Sequence, residues 1–203
     1  MATDEHTERR LQLRAAQKGD RHAFEKLLAP YLPKLYNLAY HLIQHRDDAA
    51  DAVQETAIKA FRSLNGFREE ADFGTWLSRI LRNTILDEVK RAVRRHEEAT
   101  ETLPEHGDHV TEPGMERKEL RELMLGLLNE LSEKLREPVI LYDLEGFSYE
   151  EMAIILDINV GTVKSRLNRG RTALREKILA QPGRLAGYLP AQLAESLPKE
   201  TPS

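Results

Sequence analysis

Apolar residues recur at helical spacing along most of the chain, and no stretch of alternating Val, Ile and Thr marks a strand. Asp20 is an N-cap for a helix through AFEKLLAPYLPKLYNLAYHLIQ, which Pro30 and Pro33 should bend or break. A second helix starts near Asp47 and runs to Leu64, where Asn65 and Gly66 supply the stop. Its apolar positions are Ala49, Val53, Ala57, Ala60, Phe61 and Leu64. Beyond the loop FREEAD a third helix runs from Phe73 to about Arg95, with Trp76, Leu77, Ile80, Leu81, Ile85 and Val89 as its core stripe.

The pattern resumes in MERKELRELMLGLLNELS, whose Leu-rich face belongs in a core. Ser132 caps the next segment and Gly146 ends it, and Ser148 with Glu151 forms a capping box that opens YEEMAIILD. A turn at Ile158, Asn159 and Val160 leads into a last helix from about Gly161 to Leu179, stopped by Gln181, Pro182 and Gly183. The expected fold is all-α, in two helical domains, 1–95 and 115–180.

Between them, HEEATETLPEHGDHVTEPG (96–114) carries two Pro, two Gly and many acids but almost no large apolar residue. Such a stretch buries too little surface to offset its chain entropy, so it reads as a flexible acidic linker. Residues 181–203 form a C-terminal tail that reads either as a short helix over Leu193 and Leu197 or as disordered. Charge follows the same division. The total of -4 hides 17 Lys/Arg against 14 Asp/Glu in residues 1–95, 2 against 8 in 96–119, and 9 against 10 in 120–180. The absence of Cys excludes disulfides, thiolate metal sites and cysteine nucleophiles. No apolar run approaches the roughly 18 residues of a membrane span, and the first residues lack the order of a signal peptide. A cytoplasmic protein without membrane insertion is expected.

Positive charge gathers on the last helix, where residues 160–180 hold six Lys or Arg and one Glu. Two helices joined by a short turn, the second one basic, form the outline of a helix-turn-helix. Ala153 is small where the helices must approach, and Ile158 plugs the turn. Val163, Leu167, Leu174 and Ile178 fall on the inner face. Thr162, Lys164, Ser165, Arg166, Asn168, Arg169 and Arg171 are left for base edges and phosphates. A second basic face occurs in the third helix, with Arg79, Arg82, Asn83, Lys90, Arg91, Arg94 and Arg95, and with Phe67, Phe73 and Trp76 at its N-terminal edge. Aromatic rings beside a basic helix can stack on unpaired bases. Trp76 shares its stripe with Ile80 and reads as core, whereas Phe67 lies in the loop and is expected to be more open.

These blocks together resemble the bacterial sigma factors of the extracytoplasmic-function (group IV, sigma-70) type. DAADAVQETAIKAF resembles conserved regions 2.1–2.2, and FREEADFGTWLSRILRNTILDEVKR resembles regions 2.3–2.4 with the F-x(8)-W-L-x-R-I-x-x-N order intact. The stretch from SEKLREPVILYDLEG through GTVKSRL to LREKI resembles region 4. The resemblance implies an alternative sigma factor, not an enzyme, that docks on core RNA polymerase through Asp48, Asp51, Gln54, Glu55 and Lys59. It implies capture of flipped single-stranded −10 bases by residues 67–73 with Phe67, Arg79, Asn83 and Asp87, and phosphate contacts from Lys90, Arg91, Arg94 and Arg95. Double-stranded −35 DNA would be read by Thr162, Lys164, Ser165, Arg166, Asn168, Arg169 and Arg171. It further implies an anti-sigma partner and no cofactor.

Two positions depart from many relatives. Lys164 and Asn168 stand where an Arg and a bulkier residue are common, and Lys cannot make the bidentate guanine contact of Arg. Asp87 in the −10 helix repels phosphate or accepts from cytosine N4. Two other readings compete. A dimeric helix-turn-helix regulator leaves the second basic element without a purpose. An enzyme would need a site such as His41 and His45 with Asp47, Asp48 and Asp51. That pair lacks the Glu of the zinc-protease motif, and no phosphate loop or G-x-S-x-G occurs.

Overall fold

Helices account for all the regular structure among the described residues, 2–98 and 115–181, of this computed structural model; side chains are described from 7 to 92 and from 119 to 181. By their contacts the residues form two units, Met1–Pro104 with Glu150–Ile158, and Glu105–Tyr149 with Asn159–Ser203.

In the first unit α1 (Ala2–Gln17) precedes everything the apolar pattern predicts. Among its described side chains it buries Leu13 and Ala16, one turn apart, while Leu11 is exposed, so its amphipathic signal is weak. Helix α2 (Arg21–Leu28) begins where expected, with the Asp20 carboxylate accepting from the Ala23 amide. The two prolines divide the next segment into a 3₁₀ turn (Ala29–Tyr31) and α3 (Leu32–Ile43). Gln44 ends α3 in the left-handed region, at φ 59. Helix α4 (Arg46–Ser63) is capped by the His45 ring, which accepts from the Asp48 amide at 3.4 Å.

The inner stripe of α4 is Ala49, Ala52, Thr56 and Ala60, all fully buried. Three alanines let α3 and α5 pack closely on it. The Thr56 hydroxyl donates to the Ala52 carbonyl at 2.6 Å, which satisfies its burial. Of the expected stripe Ala49, Ala60 and Leu64 are buried, whereas Val53, Ala57 and Phe61 lie about a quarter turn to one side and are half-buried. Helix α5 (Phe73–Glu98) buries Phe73, Leu77, Leu81 and Ile85. Val89 is a correction: expected in the core, it is 53% exposed, and each residue from 89 to 92 is exposed. Helix α5 runs on to Glu98, three residues into the stretch read as linker. The rest of that stretch, and the tail from 182, lie outside the described residues.

In the second unit α6 (Met115–Asn129) is followed by α7 (Glu133–Val139) and one π turn (Ile140–Leu144). Ser132 occupies the N-cap of α7 without a side-chain bond, and Gly146 turns the chain at φ 72. Helix α8 (Tyr149–Leu156), whose residues from 150 group with the first unit, ends at Asp157, at φ 55, and α9 (Val160–Leu179) belongs to the second. The signal missed here is Asn159, whose side-chain Oδ1 accepts from the Thr162 amide at 2.8 Å and caps α9. Helix α9 packs on α7 and α6, and Lys177 pairs with Glu130 at 2.7 Å. Gly170 makes that packing possible. A Cβ there would lie 2.6 Å from the Leu135 carbonyl oxygen and 2.8 Å from Val139 Cγ2.

Candidate nucleic-acid interfaces

Helix α5 sets Arg79, Asn83 and Lys90 on one face by their spacing of four and seven. All three are exposed; Arg82 is half-buried to one side, and Arg91 is exposed. Asp87 belongs to the same side of the helix, but its carboxylate is 3.6 Å from Lys59 Nζ on α4. An expected −10 residue and an expected polymerase residue thus pair with each other. The side chains of Arg94 and Arg95 lie outside the described residues.

The aromatic edge differs from expectation at Phe67. Its ring is 8% exposed and packs 5.3 Å from Phe73 and 5.0 Å from Trp76, centroid to centroid. Phe73 stacks on Trp76 at 5.5 Å and meets Tyr31 edge-on at 5.5 Å. A 3₁₀ turn (Leu64–Gly66) delivers Phe67 into this cluster, where burial of the ring outweighs its loop position. Trp76 is half-buried, at the rim of the core to which it was assigned.

Asp51 and Gln54 are exposed on the outer face of α4, opposite the alanine stripe, with Glu55 half-buried at its margin. Ile58 is a residue the sequence reading passed over. It follows Asp51 by seven and is 46% exposed on that same face. An apolar side chain off the core stripe was the available signal. Asp48 is turned toward the cap of its own helix, 3.3 Å from His45 Nδ1. His41 is buried near the Tyr40 ring, so His41 and His45 do separate structural work. No metal-ligand cluster occurs among the described residues.

In the second unit Val163, Leu167 and Gly170 are buried on the inner side of α9. Helical spacing then aims Ser165, Asn168, Arg169 and Thr172 outward, all exposed. Thr172 is an addition to the expected set. Thr162 is half-buried and its hydroxyl is 3.0 Å from the Asn159 oxygen, so it belongs to the cap. Arg166 is half-buried on one flank. On the other flank Lys164 lies 5.3 Å from the centre of Tyr149, and Arg171 lies 4.9 Å from that of Tyr142. The two tyrosines stack at 5.1 Å, so the four side chains form one ladder.

Arg171 is exposed but already engaged: one edge of its guanidinium, Nε and Nη2, donates to the two oxygens of Asp143, with Nε at 3.0 Å. That bonding holds its pKa above the usual arginine value. Tyr142 is raised above the usual phenol range by its hydrogen bond to Tyr149.

Residues 27–95 match sigma-70 region 2, and residues 121–174 match sigma-70 region 4. The RNA polymerase sigma-H factor of Pseudomonas aeruginosa is 34% identical over 168 residues, covering 78% of this chain and 87% of that one. The chain belongs to the extracytoplasmic-function sigma factors.

As an alternative sigma factor it directs promoter-specific transcription initiation by core RNA polymerase. The sigma-E factor of Haemophilus influenzae is similar too, 37% identical over 172 residues that cover 80% of this sigma factor and 90% of its relative. Two solved structures share its fold. One is the sigma factor RpoE in complex with the anti-sigma factor NepR from Bartonella quintana, at 31% identity and TM-score 0.61, covering 76% of this chain and 96% of that one. The other is CnrH in complex with the cytosolic domain of CnrY, at 26% identity and TM-score 0.63, covering 85% and 98%. The region 2 match leaves α1 of this sigma factor outside it. No helix of the described residues is long and apolar enough to cross a membrane.

Proposed function

We propose that the two basic elements divide promoter recognition between them, residues 1–95 taking the single-stranded −10 element and residues 115–180 the duplex −35 element. In the first domain, residues 67–73 with Arg79 and Asn83 capture flipped bases, and Lys90, Arg91, Arg94 and Arg95 hold phosphates. Extruding a base costs a few kcal/mol, which a shaped pocket can recover. The outer face of α4, with Asp51, Gln54, Glu55 and Ile58, docks on core polymerase. Nucleotide addition belongs to the polymerase, and this chain works in the cytoplasm as a non-enzymatic factor.

The observation that carries the −35 assignment is the division of α9. One side is fully packed through Val163 and Leu167, while Ser165, Asn168, Arg169 and Thr172 stand exposed together on the other. Lys164 and Arg171 flank that face and tie the helix to the tyrosines. Promoter-dependent transcription with purified core polymerase is the test. Initiation from a subset of genomic fragments is expected. In that assay Arg169→Ala should reduce −35-dependent initiation by the equivalent of about 1–3 kcal/mol. Unchanged output would place the reading face elsewhere on α9.

The polymerase face has its own test. Asp51→Ala with Glu55→Ala should weaken co-elution with core polymerase on gel filtration while leaving the melting temperature nearly unchanged, since neither side chain is buried. Full-strength co-elution would move the interface off α4. One similar solved structure holds a sigma factor with an anti-sigma factor, and the other holds CnrH with the cytosolic domain of CnrY. We extend this to an anti-sigma factor for this chain.

A further inference from the structure

A cavity of about 350 Å³ opens beside residues 67–73, with Leu13 and Leu27 on one side and Phe67 and Phe73 on the other. Its rim is held by Arg9 of α1. The Arg9 guanidinium donates to the Tyr31 hydroxyl, lies 3.5 Å from Asp72 Oδ1, and sits 5.3 Å from the centre of the Tyr31 ring. The other oxygen of Asp72 accepts from the Gly74 amide at 2.8 Å in the first turn of α5. Tyr31 in turn packs against Phe73 and so closely on Gly74 that a Cβ there would lie 2.8 Å from its ring. At the far end of α1, Gln17 Nε2 donates to the Leu64 and Phe67 carbonyls at 3.2 and 3.3 Å. The first helix therefore grips the segment at both of its ends. Between the grips Glu69 is held at φ 58, a conformation costing a non-glycine residue about 1 kcal/mol or more. Without external ties a loop of this kind relaxes.

We propose that Arg9 is a positioning residue for base capture. It fixes Asp72 and Tyr31 so that the cavity keeps the shape a flipped nucleobase needs. Its guanidinium is already engaged by a carboxylate and a phenol, so it acts through them and not by touching the base. This rests on the reading of residues 67–73 as the capture segment. It goes beyond that reading because Arg9 lies outside the region 2 match, which begins at residue 27.

The test uses holoenzyme and the non-template single strand of a promoter that it initiates from, with each −10 position made abasic in turn. Wild type should lose about tenfold in affinity at the captured position. In Arg9→Gln that penalty should fall close to unity, with the smaller penalties at other positions unchanged and the protein still folded by circular dichroism. Arg9→Lys should retain part of the penalty, since it keeps the charge beside Asp72 but loses the planar fork. Arg14→Gln, the same charge change on an exposed position of another face of α1, should retain all of it. An undiminished penalty in Arg9→Gln overturns the proposal, as does a uniform affinity loss matched by Arg14→Gln. Failure of the underlying reading looks different. In that case wild type shows no abasic penalty and Ala71→Phe, which fills the cavity, binds as before; the role of Arg9 then falls with it.

Discussion

Phe67→Ala should lower the melting temperature of the free protein, with no promoter or polymerase present. The ring is 8% exposed, in contact with Phe73 and Trp76, and its carbonyl is tied to Gln17. Truncating a buried Phe removes its transfer free energy and leaves a cavity, together worth about 3–5 kcal/mol. The loss here belongs near the lower figure, about 3 kcal/mol, because the cluster lies at the edge of its core. Phe67→Leu should recover much of that stability. Thermal unfolding followed by circular dichroism measures both variants, and transcription run below their melting temperatures separates stability from function. A base-stacking platform predicts the opposite pattern, unchanged melting with lost promoter opening. That result would return Phe67 to the DNA surface.

Gly170→Val is expected to destabilise the second unit by about 2 kcal/mol or more, through overpacking. The nearest obstacle to a new Cβ is the Leu135 carbonyl, at 2.6 Å, a backbone atom of α7 that cannot swing aside as a side chain can. Gly170→Ala should do less harm. It meets the same carbonyl, yet gains about 1 kcal/mol of helix propensity over glycine. Calorimetry of the full chain gives the ranking: wild type, then Ala, then Val in falling order. Ser165→Ala, a change on the exposed face, should remain within about 0.5 kcal/mol of wild type. If Gly170→Val melts like wild type, α7 and α9 are not in close contact at this position.

Much of this architecture is legible in the apolar spacing, because α3, α5 and α9 carry stripes that only a bundle can bury. Asp20 as a cap, the prolines as breaks and the inward pair Val163 and Leu167 all stand as read. What spacing could not supply was the exact phase of α4. There the buried residues are alanines and a threonine, and small side chains weaken the contrast on which a periodic reading depends. Helix α1 was missed for a related reason, since Leu13 and Ala16 are all that its described side chains bury. The candidate sites show a second limit. A set of polar residues on a helix does not say which are already engaged, and that depends on neighbours distant in sequence. Asp87 meets Lys59, and Arg171 meets Asp143, through pairings no local motif announces. His45 and Asn159 escaped notice as caps because each precedes a residue more conspicuous for another reason.

The pairings on α9 have a consequence for ionic strength. Binding to DNA draws much of its free energy from small cations released as protein charges replace them along the phosphates, about 0.9 per phosphate neutralised. Of the six basic residues on this helix, Arg171 and Lys177 already face carboxylates of their own unit, Asp143 and Glu130. Charges compensated from within displace few ions. The helix should therefore respond to added salt as though it carried four positive charges, leaving more of its −35 affinity to direct contact than its composition implies.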